Sequence, residues 1–279
     1  MIATLLVAGA VIASTGSLST AFPAAVFGAT AFIALVGAAD DLKTIPVIPR
    51  LILQGLSVGA VLYAVSGELR IIPACPLWIE RAVLFLAGLW FVNLVNFMDG
   101  IDWMTVAEVV PITAALVLLG ALGDLTPPTV IVAAALGGAM IGFAPFNRPV
   151  AKIFLGDVGS LPTGLLLGWC LLELISHQQL TAAVLLPLYY LADATVTLLR
   201  RLAKRERVWA AHRSHFYQRA TDNGFSVLRV VGEVFALNLA LAAMAIASTM
   251  TASLNGRIAL LLTGCFAVAL VLIRFSRPR

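Results

Sequence analysis

The sequence predicts an all-α, polytopic integral membrane protein with about ten transmembrane helices. Of its 279 residues, 61% are hydrophobic and only 11% are charged. A soluble domain is about half apolar and about a quarter charged, so this chain cannot bury its apolar residues in one aqueous core. The bilayer is therefore the expected solvent, and helices are the expected elements because they satisfy their own backbone hydrogen bonds there.

Apolar runs separated by short polar segments predict the individual helices. We place them at residues 1–14, 21–39, 50–66, 82–96, 104–122, 127–146, 160–176, 180–199, 226–249 and 257–274. A full crossing takes roughly 20 residues, so the first and fourth runs are short. The first run lacks the basic start and cleavage site of a signal peptide, and we interpret it as a retained helix. We expect residues 1–279 to form a single transmembrane domain.

The basic residues indicate how the chain is oriented in the membrane. Fifteen of the 18 lysines and arginines lie in or beside the even-numbered loops and the C-terminal tail. Only Arg70, Arg81 and Arg257 fall on the other face. Because cytoplasmic loops carry an excess of Lys and Arg, the even loops and both chain ends are predicted to be cytoplasmic.

Four unusual polar stretches follow helices two, four, six and eight, which places all of them on the predicted cytoplasmic face. They are residues 39–43 (ADDLK), 96–102 (NFMDGID), 147–160 (NRPVAKIFLGDVGS) and 211–220 (AHRSHFYQRA). Chance would scatter such stretches over both faces. The sequence therefore predicts one functional site on the cytoplasmic side.

The carboxylates in these stretches are suited to a divalent cation. They are Asp40, Asp41, Asp99, Asp102 and Asp157. Without a counter-charge they would repel one another at the membrane interface. Mg²⁺ prefers oxygen ligands, takes one or two carboxylates and leaves positions open for phosphate oxygens. The amide oxygen of Asn96 is a further candidate ligand.

Groups suited to anions accompany the carboxylates. Gly156 and Gly159 flank Asp157 just before a predicted helix, where free backbone N–H groups favour phosphate. Positive charge is expected from Arg148, Lys152, His212, Arg213 and His215. Acidic and basic groups together indicate Mg²⁺-bridged phosphoryl transfer involving a phosphate-bearing lipid.

Each motif also has a purely structural interpretation. The Asp-Asp pair could be a solvated helix cap, NFMDGID a turn, and the two histidines solvated loop residues. Asp193 differs, because a carboxylate inside an apolar run is a functional candidate by default. It could instead pair with Arg200 or Arg201.

Together and in order, the four stretches resemble the polyprenyl-phosphate N-acetylhexosamine-1-phosphate transferases, bacterial membrane enzymes of the glycosyltransferase family 4 type. The likeness runs from about residue 25 to about residue 220. The histidine loop looks more like the O-antigen-initiating branch than the peptidoglycan translocase, whose loop carries adjacent histidines. The matching segments are Asp40-Asp41, the N-x-x-D-G-x-D signature at 96–102, the F-x-G-D-x-G-S segment at 154–160, the loop HRSHFYQ at 212–218, and Asp193 before Arg200-Arg201.

The resemblance implies a reaction and a place for it. A sugar 1-phosphate of the N-acetylhexosamine type would move from a UDP-sugar to undecaprenyl phosphate with Mg²⁺, releasing UMP and initiating cell-surface polysaccharide (lipopolysaccharide O-antigen) assembly at the bacterial inner membrane. The implied residues are Asp40, Asp41, Asp99, His212 and His215 for catalysis, Gly100, Ile101, Asp102, Asn147, Lys152, Phe154 and Arg213 for the substrates, and Asn96 and Asp157 for the metal. Phe154 would stack on uracil. Membrane lipid is an expected partner, nucleic acid is not, and a homodimer is left open.

The chain departs from the family at its start, because it begins inside what would be the second helix. We expect the family's N-terminal helix and first cytoplasmic loop to be missing through a misassigned start, since the remaining motifs are intact. Two other classes stay open. A polytopic transporter of an anionic substrate would place charges near the bilayer midplane in paired halves, and an inactive scaffold would tolerate the missing start.

Overall fold

A computed structural model describes Gly9 and residues 21–64, 70–71, 75–210 and 212–278. Within those residues the chain forms eleven α-helices and no strand, which confirms the all-α prediction. The predicted helix at 1–14 lies outside the described residues except for Gly9, which is helical. The helices are α1 Ala21–Leu42, α2 Val47–Ala64, α3 Leu77–Met98, α4 Met104–Ala121, α5 Pro127–Phe143, α6 Gly156–Ser176, α7 Leu180–Leu185, α8 Leu188–Ala203, α9 Phe216–Asp222, α10 Val227–Thr249 and α11 Leu254–Phe275.

Seven of the described helices are long and apolar enough to cross a membrane. They are α1 (from Ala24 onward), α2, α3, α4, α6, α10 and α11, while α5 is a shorter apolar helix of 17 residues. The prediction of a polytopic membrane protein is confirmed by these helices.

The predicted helix at 180–199 is two helices, and the long polar segment after it contains a third. The chain breaks between α7 and α8, because Pro187 has no backbone N–H and its ring clashes with the preceding turn. The short helix α9 lies in a segment predicted to be loop. Both differences affect the histidine-bearing segment described below.

The described residues belong to two compact units. Unit 1 comprises residues 1–96, 116–139 and 155–179, and unit 2 comprises residues 97–115, 140–154 and 180–279. The prediction of one transferase domain over residues 1–279 stays a prediction.

In unit 1, α1 packs against α2 and α6. The apolar side chain of Ile33 in α1 and those of Leu161 and Leu166 in α6 are fully buried. Packing of this kind brings the C-terminal end of α1 to the N-terminal end of α6. It therefore places the Asp-Asp pair at the start of the segment that carries Asp157.

In unit 2, α10 and α11 pack against α7, α8 and α9. The side chains of Ser226 and Ser253 accept hydrogen bonds from backbone N–H groups in the first turns of α10 and α11, as N-cap residues do. Deeper in unit 2, the Asn238 amide of α10 donates to the Ala107 carbonyl and to the Glu108 carboxyl of α4. These contacts cap α10 and α11 and join α10 to α4.

Candidate functional site

An acidic cluster lies at helix ends in unit 1. It consists of Asp40 and Asp41 at the end of α1 and Asp157 in the first turn of α6, together with Arg50 of α2 and Asn96 of α3. Four of these five residues were predicted from the sequence to belong to the functional site. The structure brings all five into a connected set of hydrogen bonds and ion pairs.

Arg50 is the residue of the acidic cluster that the sequence analysis missed. Its Nη1 lies 2.9 Å from Asp40 Oδ2 and 3.7 Å from Asp157 Oδ2, so one guanidinium faces two carboxylates. The other oxygen of Asp40 accepts a hydrogen bond from the backbone N–H of Ile45. A usable signal was the position of Arg50 in the first turn of the helix directly after the Asp-Asp pair. Its charge offsets repulsion that the sequence analysis had assigned to a metal alone.

Asp41 caps the N-terminus of α6. Its two carboxylate oxygens each lie 3.0 Å from a backbone nitrogen, those of Asp157 and Val158, which donate to it. Free N–H groups available to phosphate were predicted here from the sequence, and that prediction is wrong for these two donors. A carboxylate at a helix N-terminus is favoured by the helix dipole, so Asp41 holds the start of α6.

Two glycines permit this close approach of α1 to α6. A Cβ atom on Gly37 would lie 2.3 Å from the carbonyl oxygen of Asp157. Gly156 has φ +63°, and a Cβ atom there would lie 2.6 Å from Asp41 Oδ2. Side chains at either position would push Asp41 away from the helix start. The two glycines therefore help to determine where Asp157 lies.

The two predicted metal ligands contact each other. Asn96 Nδ2 donates to Asp157 Oδ1 at 2.7 Å and to the Ser160 hydroxyl at 2.8 Å. About a fifth of the Asp157 side chain is exposed. A carboxylate and an amide in contact, with a second carboxylate on Asp40 sharing the same arginine, form an oxygen-rich set.

This set fits Mg²⁺ in its chemistry. Among the described residues, no group of three or more His, Cys, Asp or Glu side chains is arranged to hold a metal ion. Mg²⁺ is usually bound by one or two carboxylates plus substrate phosphates rather than by an all-protein cage. Asp157 with Asn96 supplies that small number of ligands. The metal role of these residues stays a prediction.

A second group of polar residues in unit 2, the histidine cluster, consists of Asp193, His212, Ser214, His215 and Tyr217. Asp193 of α8 is fully buried. Its carboxylate accepts hydrogen bonds from His215 Nδ1 at 3.2 Å and from the backbone N–H groups of Phe216 at 3.0 Å and Tyr217 at 3.2 Å. Asp193 therefore holds the start of α9 and the histidine that precedes it.

The pairing of Asp193 with Arg200 or Arg201 that the sequence analysis left open is wrong. The Arg201 guanidinium donates instead to the Glu206 carboxylate and to the backbone carbonyls of Arg207 and Ala210, at 2.9 to 3.2 Å. Arg200 lies over the Phe216 ring, 5.1 Å from its centroid. The arginines thus order the segment after α8, and the partners of Asp193 are an imidazole, two hydroxyls and two backbone N–H groups.

His212 stacks on His215, with ring centroids 4.9 Å apart. Burial, with further contributions from the neighbouring His215 and Arg201, lowers the pKa of His212 from 6.5 to about 4. The ring is therefore neutral at pH 7. The sequence analysis counted His212 among the positive charges, and this prediction is wrong for that residue.

Another part of unit 2 joins the stretch after α3 to the segment at 147–154. Asp102 Oδ2 accepts from the Ala151 N–H at 3.0 Å. Asn147 accepts from the Trp103 N–H at 2.8 Å and donates to the Ile153 carbonyl at 2.9 Å. Asp102 and Asn147 were predicted to contact substrate, and the structure shows that both shape the backbone.

Gly100 allows the histidine cluster to approach the same stretch. The Tyr217 hydroxyl donates to the Phe97 carbonyl at 3.1 Å, and a Cβ atom on Gly100 would lie 2.1 Å from that hydroxyl oxygen. Asp99, one residue earlier, accepts from the Thr105 hydroxyl. No sequence signal identified Tyr217 as a partner of this stretch.

The remaining predicted substrate residues have varied exposure. Phe154 is 74% exposed, as an aromatic ring free to stack on a base would be. Lys152 and Arg213 are also exposed, whereas Ile101 is half-buried. Within unit 1 the structure brings together Asp40, Asp41, Asn96 and Asp157. The shared cytoplasmic face of all the predicted residues stays a prediction.

The fold and these clusters define a class: multi-span helical membrane proteins with carboxylates at helix ends. Comparison with known proteins then gives the family. The profile of glycosyl transferase family 4 matches residues 23–175, which is more than half of the chain. The chain belongs to this family.

Curated relatives share the family region. Phospho-N-acetylmuramoyl-pentapeptide-transferase of Enterococcus faecalis is 38% identical over 116 residues, covering 42% of this chain and 35% of the relative. The enzymes of the same name from Mycobacterium sp. strain JLS and Mycolicibacterium smegmatis are 32% and 30% identical over 168 residues, covering 54% of this chain and 46% of each relative. The chain thus spans less than half the length of these relatives. Their names support the family and give no support to the O-antigen branch.

Proposed function

We propose that this protein transfers a sugar 1-phosphate from a UDP-sugar of the N-acetylhexosamine type to undecaprenyl phosphate. A phosphate oxygen of the lipid would attack the β-phosphorus of the donor. The bond from that phosphorus to the oxygen bridging the two phosphates would break, and UMP would leave with the bonding electron pair. The observation that carries the proposal is the contact of Asp157 with Asn96 beside Arg50, at the start of α6.

In unit 1 the proposed roles follow from charge. Mg²⁺, when bound by Asp157 and Asn96, would neutralise the donor diphosphate and the departing UMP. The Arg50 guanidinium faces the Asp157 and Asp40 carboxylates, so it holds them in place before substrate arrives. Because the acceptor phosphate is already an anion, no strong general base is required.

Asp41 is better suited to holding structure than to removing a proton. Both of its oxygens accept backbone hydrogen bonds at the start of α6. We therefore propose that Asp41 positions Asp157. Asp40 would hold Arg50 in place through their ion pair.

In unit 2 the exposed ring of Phe154 is proposed to stack on uracil, with Lys152 and Arg213 as exposed cations for phosphate oxygens. Asp102 and Asn147 would act through the backbone that they order around the base. His212, being neutral at pH 7, would contact phosphate through a hydrogen bond rather than as a cation. We propose a cytoplasmic location for these groups because the basic loops carry them.

The donor sugar has two candidates. The form of the histidine loop favours a UDP-N-acetylhexosamine and the initiation of a surface polysaccharide such as an O-antigen. The names of the relatives favour a UDP-N-acetylmuramoyl-pentapeptide. Both donors carry the same diphosphate and leave UMP, so the proposed chemistry is common to them.

The test is transfer of radiolabel to undecaprenyl phosphate by the full chain in purified membranes. Several UDP-N-acetylhexosamines and UDP-N-acetylmuramoyl-pentapeptide would be compared, each with Mg²⁺ or with EDTA. We expect a lipid-linked product and UMP from one donor class, with Mg²⁺ required. A control variant, Asp124→Asn, changes a unit 1 carboxylate that contacts Gln179 outside the acidic cluster and should behave as wild type. Absence of lipid product from every donor would refute the proposed function.

A further inference from the structure

In each of the two stacked histidines of unit 2, Nδ1 contacts a hydrogen-bond partner, but the two partners differ in kind. Nδ1 of His212 lies 2.8 Å from the Ser214 hydroxyl and 3.4 Å from the Ser214 backbone nitrogen. A backbone N–H can only donate, so Nδ1 of His212 is an acceptor. In a neutral imidazole the other nitrogen then carries the proton. His212 therefore has its N–H at Nε2.

His215 has the opposite arrangement. Its Nδ1 lies 3.2 Å from Asp193 Oδ1, and a carboxylate can only accept. Nδ1 of His215 therefore carries a proton. In the neutral ring, Nε2 of His215 has a free electron pair.

Asp193 is fixed by hydrogen bonds to both of its carboxyl oxygens. Besides His215 and the backbone N–H groups of Phe216 and Tyr217, it accepts from the Tyr189 hydroxyl at 3.3 Å and the Thr197 hydroxyl at 3.2 Å. The two backbone N–H groups can only donate, and they bond to different oxygens of Asp193. A buried carboxylate with this many donors has its orientation fixed.

We infer that Asp193 is a positioning residue that fixes the opposite tautomers of the stacked rings of His215 and His212. The partly exposed His212 offers Nε2–H to a phosphate oxygen, and His215, which is only 3% exposed, holds His212 in place. The identity of the ligand rests on the proposed function, whereas the protonation of the two rings does not. The stacking of the rings, 28° from parallel, keeps both groups side by side.

The same carboxylate links the histidines to the stretch after α3. Its bonds to the backbone of Phe216 and Tyr217 fix the first turn of α9, and the Tyr217 hydroxyl in turn donates to the Phe97 carbonyl. Movement of Asp193 would therefore displace the histidine pair together with the chain beside Gly100. A purely structural carboxylate would stabilise the fold without setting the tautomer of either ring.

Nuclear magnetic resonance can read the tautomers directly, because the chain has only three histidines. The full chain would be labelled with ¹⁵N in its histidine rings and reconstituted in nanodiscs at about pH 8. Assignment would use His177→Asn and His212→Asn. We expect the His212 ring to show Nε2–H and the His215 ring to show Nδ1–H. The same tautomer in both rings, or exchange between tautomers in either ring, would overturn the inference.

Substitution of Asp193 tests the consequence for the reaction. Asp193→Asn should remove the fixed Nδ1–H signature of His215 and lower kcat by at least about 100-fold, with the donor KM within about 3-fold. Loss of an orienting carboxylate lowers kcat by up to roughly 10⁴-fold in a serine protease. Glu108→Gln is the matched control, since it changes another buried unit 2 carboxyl to an amide and should leave kcat and both rings unchanged.

A milder variant covers the case in which Asp193→Asn fails to fold. Thr197→Val removes one donor and retains the carboxylate, so both tautomers should persist; their loss would overturn the inference.

If the wild-type chain transfers no sugar phosphate, the proposed function fails, and the ring spectra still decide the assignment of Asp193. If transfer occurs and Asp193→Asn retains wild-type kcat, the inference fails and the proposed function stands.

Discussion

The acidic cluster of unit 1 and the histidine cluster of unit 2 use carboxylates in opposite ways. Asp157 is about one-fifth exposed and lies beside a full positive charge on Arg50, whereas the Asp193 side chain is completely buried among hydroxyl, imidazole and backbone N–H groups. An exposed carboxylate with a long 3.7 Å ion pair can exchange its partner for a metal or a phosphate-bound cation. A buried carboxylate with five hydrogen bonds cannot do so without unfolding its surroundings. The first arrangement leaves charge available to a ligand, and the second uses charge to fix a loop.

The largest expected effect comes from removing the charge of the partly exposed Asp157 carboxylate. Asp157→Asn should lower transfer activity about 1,000-fold, because loss of a metal ligand removes several kcal/mol of charge stabilisation and each 1.36 kcal/mol is tenfold. Its Tm should change by less than about 4 °C, the shift for roughly 1 kcal/mol in a domain of comparable size. Initial rates over a range of Mg²⁺ concentrations and thermal unfolding would check both.

Asp124→Asn again serves as the matched control for this substitution. If Asp157→Asn kept more than a tenth of wild-type activity, the exposed carboxylate would not be the ligand-binding group. If it instead lowered the Tm as much as Asp193→Asn does, the two clusters would not differ in the way described above.

An intermediate effect is expected where the histidine cluster contacts the stretch after α3. Gly100→Ala would place a Cβ atom 2.1 Å from the Tyr217 hydroxyl oxygen, which is held by the Phe97 carbonyl. Overpacking of this kind costs about 1–3 kcal/mol. We expect a lower Tm for Gly100→Ala, measured by thermal unfolding in detergent.

The double variant Gly100→Ala, Tyr217→Phe distinguishes this steric cause from others, because it removes the atom that the new methyl group meets. It should be more stable than the sum of the two single effects. Gly142→Ala, where nothing lies within 4 Å of the added atom, should leave the Tm close to wild type. A strictly additive double variant would contradict the close approach described here.

The smallest effect concerns the pH dependence contributed by His212. Its pKa is lowered to about 4 in the folded protein, whereas the unfolded ring takes up a proton near 6.5. Between these values only the unfolded state binds the proton, so stability falls as the pH is lowered from about 6.5 to about 4 and then levels off. The ring is partly exposed, so the effect is modest.

The measurement is the difference in Tm between wild type and His212→Asn from pH 7 to pH 4. We expect the wild type to lose more stability over this range than the variant. His177→Asn, at an exposed histidine, supplies the comparison. A difference, wild type minus variant, that increases as the pH falls would have the opposite sign and would contradict a ring kept neutral by burial.

Much of the fold could be predicted because long apolar runs in the sequence indicate the helices of a membrane protein. The break at Pro187 was missed since the apolar run continues through it, although a proline inside a helix signals a break. The short helix α9 was missed because its first residues depend on Asp193, which is 23 positions away from Phe216. Non-local support of this kind has no periodicity to detect.

The residues of the candidate site were predicted better than the contacts between them. Asn96 and Asp157 were predicted to share one site, and they do lie in contact, near the end of α3 and at the start of α6. The pairing of Asp193 with Arg200 or Arg201 was left open because both arginines lie about two turns away along the same helix. Three of the five groups that donate to Asp193 are instead 22 to 24 positions away, so the sequence does not reveal them. The first N–H groups of α6 were wrongly predicted to be free for a similar reason, because the residue that caps them, Asp41, belongs to another helix.

The glycines beside Asp41 limit how this region can change by mutation. Gly37 leaves room for the Asp157 carbonyl, and Gly156 leaves room for the Asp41 carboxylate. A larger residue at either position separates the two helices before any new side chain can take over the capping role. Single substitutions at Gly37 or Gly156 are therefore expected to disrupt this region rather than to reshape it. An inhibitor that depends on the placement of Asp157 would meet few viable resistance mutations at these two positions.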